Sequence, residues 1–164
     1  MFVQRLPENR GIEAVKAAAE MRAWAKSKGI KVIHALIDVD AIPFETCKDA
    51  ARFSAILEDI GDELTFTRRP GYVSALKSPG PEDFLQQNGI KSLLLCGFST
   101  SACVARTAFS AGDAEYVVSI ISDACADVDE ELHKIMLEKV LKNRGYVATA
   151  KEFRSGFEEA TGSD

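Results

Sequence analysis

The sequence predicts an α/β domain of three layers, in which helices cover both faces of a mostly parallel β-sheet. Short apolar runs without polar alternation, at residues 93–95 and 116–122, are typical of parallel strands buried on both faces. Segments of helical length alternate with these runs, and the links between them are short. Because no internal repeat or low-complexity stretch is visible, we expect residues 1–164 to form a single domain.

The first half of the chain begins with an amphipathic segment, residues 8–28, which predicts a helix that stops at Gly29. Residues 30–38 are rich in β-branched side chains and predict a strand with an acidic end. The other predicted elements of this half are a short helix at 48–58, a strand at 63–67, a basic turn at 68–71 and a helix at 81–88 with Pro81 in its first turn.

The second half continues the alternation. A strand at 91–96 is followed by the break at Gly97, and Thr100 is a suitable N-cap for a helix that ends near Gly112. The other predicted elements are a strand at 116–122, a helix at 128–144 whose charges match its dipole, a strand at 146–149 and a short helix after Lys151.

One cysteine lies where the chain passes from a strand into a helix. If Thr100 caps that helix, Cys103 is in its first turn, where free backbone N–H groups and the helix dipole favour an anion. A thiol placed there loses its proton more readily than a free cysteine and can act as a nucleophile. The alternative is a structural role, because cysteine is often a small apolar filler of a core.

Charge and composition argue against several classes of partner. The net charge of −5 disfavours nucleic acid and anionic membrane surfaces, and no apolar run approaches the ~20 residues of a membrane span. The first residues lack the pattern of a secretory signal. The cysteines form no CxxC pair, which indicates a reducing, cytoplasmic location. His34 and His133 have no metal-ligand spacing, so we predict neither a metal nor another cofactor.

Residues 97–127 resemble the signature region of the isochorismatase-like cysteine hydrolases, which include nicotinamidases and N-carbamoyl amide hydrolases. The matching residues are Gly97, Thr100, Cys103, Val104, Thr107, Ala108, Asp123 and Ala124. The segments TRRPGYVSAL and RGYVATAKEF extend the resemblance over most of the chain. It implies the Rossmann-like fold of that family, with helices on both sides of the sheet.

The resemblance also implies a chemistry. In the family a Cys attacks a carbonyl carbon, an Asp takes the thiol proton, a Lys stabilises charge and backbone N–H groups hold the oxyanion. Carried over to this chain, Cys103 is the nucleophile, and the N–H groups of Cys103 and Ala102 are the oxyanion donors. The cis peptide bond that shapes this region in relatives falls at Phe98–Ser99.

The sequence departs from the family pattern at its start. The family's Asp ends a first buried strand, and no counterpart precedes the helix at 8–28, which predicts an N-terminally truncated or degenerate member. Asp38, Asp40 and Asp123 also end predicted strands, but none occupies the family's Asp position. Without the first strand, the strands at 30–38 and 91–96 must pair with each other or leave backbone groups unpaired, at about 1–3 kcal/mol each.

The family's Lys corresponds to a pair of arginines here, Arg68 and Arg69. Arginine keeps the positive charge but cannot usefully donate a proton. Either residue is therefore a candidate for charge stabilisation in catalysis, and the alternative is a solvated basic turn.

Two functions remain open at this point. The first is a cysteine hydrolase of a small amide or related C–N bond, with a small-molecule substrate and, as in relatives, a homo-oligomeric assembly. The second is a catalytically degraded member that serves as a binding or oligomeric scaffold, which the missing Asp and the Arg-for-Lys change favour. A vinyl-ether hydrolase acting on isochorismate rests on the family name alone.

Overall fold

A computed structural model describes residues 10–38, 63–69 and 71–162, and within them helices and strands alternate as expected for an α/β protein. The helices are α1 (Arg10–Ser27), α2 (Pro81–Gln87), α3 (Ala105–Asp113), α4 (Glu130–Ile135) and α5 (Ala150–Thr161). The strands are β1 (Ile33–Ile37), β2 (Leu64–Arg68), β3 (Ser92–Phe98), β4 (Val117–Ala126) and β5 (Tyr146–Ala148). None of the helices described is long and apolar enough to cross a membrane.

The strands form two parallel sheets. In the first, β1 pairs with β2, and Ile37 lies opposite Arg68. In the second, β4 lies between β3 and β5. In the described part of the chain β1 and β3 do not pair with each other, so the first of the two expected arrangements is not the one observed. The sheets still share a core, because Ile33 packs against the same cluster as Leu93 and Leu95.

Helices cover both faces of the larger sheet, which confirms the three-layer architecture. Adjacent residues of β4 point to opposite faces, and Ile120 and Ile121 belong to two separate core clusters. On one face α3 packs through small side chains, Ala105, Ala108 and Ala111, all at most 1% exposed. On the other face α1 and α5 meet, and the Trp24 ring contacts the rings of Phe153 and Phe157 edge-on.

Strand β4 extends four residues beyond the predicted end at Ser122 and reaches Ala126. A register shift between Leu95 and Gly97 in β3 permits this, because it places Gly97 opposite Cys125 and Phe98 opposite Ala126. Pairing therefore continues to the ends of both strands. The residue that follows the strand is consequently Asp127, whereas the sequence analysis had placed Asp123 there.

Other boundaries differ less. The predicted helix at 128–144 divides into α4, a π-helical turn at Met136–Val140 and a 3₁₀ turn at Leu141–Asn143. The terminal helix α5 is longer than expected. A capping box formed by Thr149 and Glu152 stabilises its first turn. The predicted helix at 48–58 lies outside the described residues.

A charged cluster ties α1 to the β1–β2 sheet. Arg22 Nε donates to both oxygens of Glu63 at 2.9 and 3.0 Å, and Lys26 Nζ donates at 2.6 Å. His34 Nε2 lies 2.6 Å from Glu63 Oε2. These hydrogen bonds, that of Arg22 most strongly, hold the pKa of Glu63 well below its usual range. At neutral pH the Glu63 carboxylate is therefore negatively charged, and its hydrogen bonds link α1, β1 and the start of β2.

Candidate active site

Cys103 lies just beyond β3, at the carboxyl edge of the larger sheet. The Phe98–Ser99 peptide bond is cis, and the chain then enters a π-helical turn, Thr100–Val104, that continues into α3. The cap position belongs to Ser99, and Thr100, the predicted cap, is fully buried inside the turn. Cys103 itself is only partly buried.

Arg68 reaches Cys103 from the smaller sheet. Its side chain is buried, Nη2 donates to Cys103 Sγ at 2.9 Å, and Nη1 donates to the carbonyl of Ala35 at 3.3 Å. The solvated-turn alternative is wrong for Arg68, because β2 extends to this residue and directs its side chain inward. Arg69 follows the strand and is exposed. Of the two arginines, only Arg68 contacts the sulfur.

The Arg68 guanidinium is incompletely paired. Its Nε–H is buried without a hydrogen-bond partner among the described residues. None of the ion pairs found in residues 10–38, 63–69 and 71–162 includes this side chain. Among the described residues, the Arg68 guanidinium therefore has the Cys103 sulfur and the Ala35 carbonyl as its hydrogen-bond acceptors.

Most backbone N–H groups at the start of the turn already have acceptors. Ala102 N–H donates to the Ser99 carbonyl at 3.3 Å, and Val104 N–H donates to the same oxygen at 3.1 Å. Of the two predicted oxyanion donors, Ala102 is thus engaged. The described residues show no bond from Cys103 N–H to a backbone carbonyl outside its own helix.

Two side chains that the sequence analysis did not assign to the site hold the start of this turn. Asp127 is buried, and its Oδ2 accepts from Ser101 N–H at 2.7 Å and from Ser101 Oγ at 2.6 Å. Thr100 Oγ1 and His133 Nδ1 share a hydrogen bond of 2.8 Å. Burial, ahead of the nearby Arg10 charge, lowers the pKa of His133. Asp127 therefore holds a backbone N–H, and His133 a side chain, within three residues of Cys103.

Two other aspartates that end predicted strands take part in hydrogen bonds with the backbone. Asp123 accepts from Ala150 N–H at 2.8 Å and so caps α5. Asp38 follows β1, where its N–H donates to the Arg68 carbonyl at 2.9 Å. Asp40 falls outside the residues described. Cys125 is buried in the core, and burial raises the pKa of its thiol.

No metal-binding cluster of three or more His, Cys, Asp or Glu side chains occurs in the ranges that the structure describes. His34 is engaged with Glu63, and His133 is engaged with Thr100. Near Cys103, the described side chains bring a sulfur and a guanidinium together.

Comparisons with known proteins show the family and the fold of the chain. The family model for the Isochorismatase domain matches residues 2–152. An isochorismatase family protein from Burkholderia thailandensis has a TM-score of 0.73 at 20% identity, over 93% of this chain and 86% of that one. A protein of the same family from Chromobacterium violaceum has a TM-score of 0.76 at 22% identity, over 94% and 85%.

A nicotinamidase from Bacillus subtilis is also similar, with a TM-score of 0.66 at 19% identity over 85% of this chain and 86% of that one. A search of curated proteins found no significant match. At these identities the similarity to solved structures establishes the fold.

Proposed function

The chain belongs to the isochorismatase family, and on that basis we propose that it is a hydrolase that cleaves a small amide or related C–N bond with Cys103 as nucleophile. The observation that carries the proposal is the 2.9 Å hydrogen bond from Arg68 Nη2 to Cys103 Sγ. The buried guanidinium places a positive charge beside the sulfur, where it can stabilise negative charge that develops on the sulfur during the reaction.

In the proposed reaction Cys103 Sγ attacks the carbonyl carbon of the substrate, and the carbonyl oxygen becomes an oxyanion. The N–H of Cys103 is the donor assigned to that oxyanion, since Ala102 N–H already donates to Ser99. The C–N bond then breaks, the amine leaves with a proton, and water cleaves the thioester to release the acid.

Arg68 supplies charge in this scheme and does not transfer a proton, because a guanidinium stays protonated at any physiological pH. No carboxylate of the described residues forms a hydrogen bond to Cys103, so the scheme draws the proton for the leaving amine from water. The Arg68 charge stabilises the thiolate before the attack and again when the thioester is hydrolysed.

The relatives support a small carboxamide as the proposed substrate class. Nicotinamidases from Bacillus subtilis and Streptococcus mutans share the fold, which makes small carboxamides the first compounds to test. A homo-oligomeric assembly and a cytoplasmic location are further parts of the proposal and rest on the sequence analysis.

The test is a screen of small amides for release of ammonia or amine. We expect the wild type to hydrolyse at least one of them and Cys103→Ala to lose about 10³-fold or more of that rate. Cys96→Ala is the matched control, because Cys96 is a free, exposed cysteine of β3. An equal rate in Cys103→Ala, or no hydrolysis of any amide by the wild type, would contradict the proposal.

One observation favours a second candidate, a catalytically degraded scaffold. The described residues provide no carboxylate hydrogen-bonded to the sulfur, whereas the family's reaction uses an Asp for proton transfer. A wild type that hydrolyses no amide but binds one, measured by calorimetry with nicotinamide, would support this second function.

A further inference from the structure

We propose that Asp127 is a positioning residue that holds the turn carrying Cys103 in its reactive geometry. The inference rests on the proposed function and adds a residue to it. Asp127 is 5% exposed, and its Oδ2 accepts two hydrogen bonds from Ser101, which lies two residues before Cys103.

The strand ends explain how Asp127 reaches the turn. Because Phe98 of β3 lies opposite Ala126 of β4, the segments that leave these two strands start side by side. Asp127 is the first residue after β4, and its second oxygen, Oδ1, accepts from Val128 N–H at 2.8 Å. Both carboxylate oxygens are therefore satisfied, and the side chain bridges the end of β4 and the start of the Cys103 turn.

No local side chain performs this task. The cap residue, Ser99, makes no side-chain hydrogen bond to the turn, although N-cap side chains commonly do. Asp127 supplies the missing acceptor from a neighbouring strand. Without it, the N–H and Oγ of the partly buried Ser101 would lose their acceptor, and the turn would shift to find another. Such a shift would move Cys103 Sγ away from Arg68 Nη2.

Position and charge predict opposite effects at this site. The negative charge of Asp127 alone opposes a thiolate nearby, so a purely electrostatic role predicts faster alkylation of Cys103 after Asp127→Asn. A positioning role predicts slower alkylation, because the sulfur loses its contact with the guanidinium. The sign of the change therefore separates the two roles.

The experiment measures the rate at which iodoacetamide alkylates Cys103, between pH 7 and pH 9.5, with peptide mapping to separate the other cysteines. We expect Asp127→Asn to slow alkylation about tenfold at pH 7. Ser101→Ala keeps the backbone N–H bond to Asp127 and loses only the Oγ bond, so its rate falls less. For an amide that the wild type hydrolyses, we expect Asp127→Asn to lower kcat and to leave KM unchanged.

Asp129→Asn is the matched control. Asp129 is also a carboxylate of this loop, and its Oδ1 caps α4 by accepting from Leu132 N–H at 2.9 Å. The substitution removes the same charge two residues away without affecting Ser101, so we expect the wild-type alkylation rate.

Alkylation of Asp127→Asn as fast as, or faster than, the wild type would overturn the proposal, given a native circular dichroism spectrum. If Asp127→Asn does not fold, Ser101→Ala decides, and a rate equal to that of the wild type overturns it. The readout needs no substrate. A wild type that hydrolyses no amide thus refutes the proposed function, while a slower Asp127→Asn still supports the positioning role.

Discussion

Arg68 belongs to the smaller sheet and Cys103 follows the larger one, and Arg68 Nη2 donates to the Cys103 sulfur at 2.9 Å. We expect Arg68→Gln, which removes the charge, to slow iodoacetamide alkylation of Cys103 about tenfold at pH 7. Arg68→Lys keeps a positive charge but lacks the planar guanidinium group with its several N–H donors, so this variant should retain part of the alkylation rate.

Arg69→Gln is the control for this comparison, because Arg69 is the adjacent arginine and is exposed. It should leave the alkylation rate unchanged. Equal rates in the wild type and Arg68→Gln would mean that the guanidinium does not promote the thiolate, and the main support for the hydrolase would be lost.

Glu63 gives a prediction on pH and stability. Its pKa is depressed in the folded protein, so its contribution to the free energy of unfolding is complete above the unfolded value near 4.5 and is lost as the pH falls through the folded value. Glu63→Gln should therefore lower the urea midpoint at pH 7, and the deficit should narrow towards pH 3.

The control for Glu63 is Glu13→Gln. Glu13 pairs with Lys16 at 2.9 Å on the exposed surface of α1, where such pairs contribute about 0–1 kcal/mol. A deficit in Glu63→Gln that stays constant from pH 7 to pH 3 would contradict the assignment of the low pKa to this cluster.

Among single residues, the sequence identified Cys103 as the candidate nucleophile but predicted only some of the side chains around it. The position of Cys103 follows from local signals, an apolar strand, a glycine and a helix start. The predicted strand ends at residue 67, whereas β2 includes Arg68. The side chain of Arg68 therefore takes the direction that its position in the strand dictates. The contact between Asp127 and Ser101 depends on a register shift between β3 and β4, and no local sequence pattern predicts that shift.

The connection into β5 packs closely against β4 at Gly145. A Cβ added at Gly145 would lie 2.5 Å from the backbone oxygen of Val118 in β4. We therefore expect Gly145→Ala to displace β5 from β4 and to reduce the free energy of unfolding by about 1–3 kcal/mol. Urea denaturation monitored by circular dichroism would measure this change.

Gly156→Ala is the matched substitution. Gly156 lies in α5, and a Cβ there meets no atom within 4 Å. Alanine is the better helix former, so this variant should gain up to about 1 kcal/mol. Similar free energies of unfolding in the two variants would show that β5 adjusts without cost.

The existence of most elements was predictable, because apolar runs and caps are local properties of the chain. The residues at which the helices and strands begin and end were harder to predict. The segment at 128–144 changes from an α-helix to a π-helical turn at Met136, while Leu137 and Leu141 stay buried. Helical periodicity alone does not distinguish these forms, because tertiary packing selects between them.

In the molecule as a whole, protection from hydrogen exchange should be uneven. Strand β4 is paired on both sides, and Val118, Ile120 and Ile121 are buried under helices. Within the described residues β1 pairs only with β2. We expect native-state exchange to give β4 amides the free energy of global unfolding and β1 amides a lower one. Equal values would mean that the two sheets open together.

The fold class was accessible from alternation alone, whereas the division into two sheets was not. Strand order depends on which edges meet in space, and the apolar runs of β1 and β3 are equally compatible with one sheet or two. The sequence analysis accordingly named both arrangements for residues 30–38 and 91–96, and pairing in the structure distinguished them.

The contact between Arg68 and Cys103 has a consequence for heating. One partner belongs to the smaller sheet and the other follows the larger one, so the contact lasts only while both sheets keep their places. If β1 and β2 loosen first, the fast alkylation of Cys103 should vanish several degrees below the midpoint of the far-ultraviolet transition. Warming would then remove the contact between Arg68 and Cys103 while most of the secondary structure is retained.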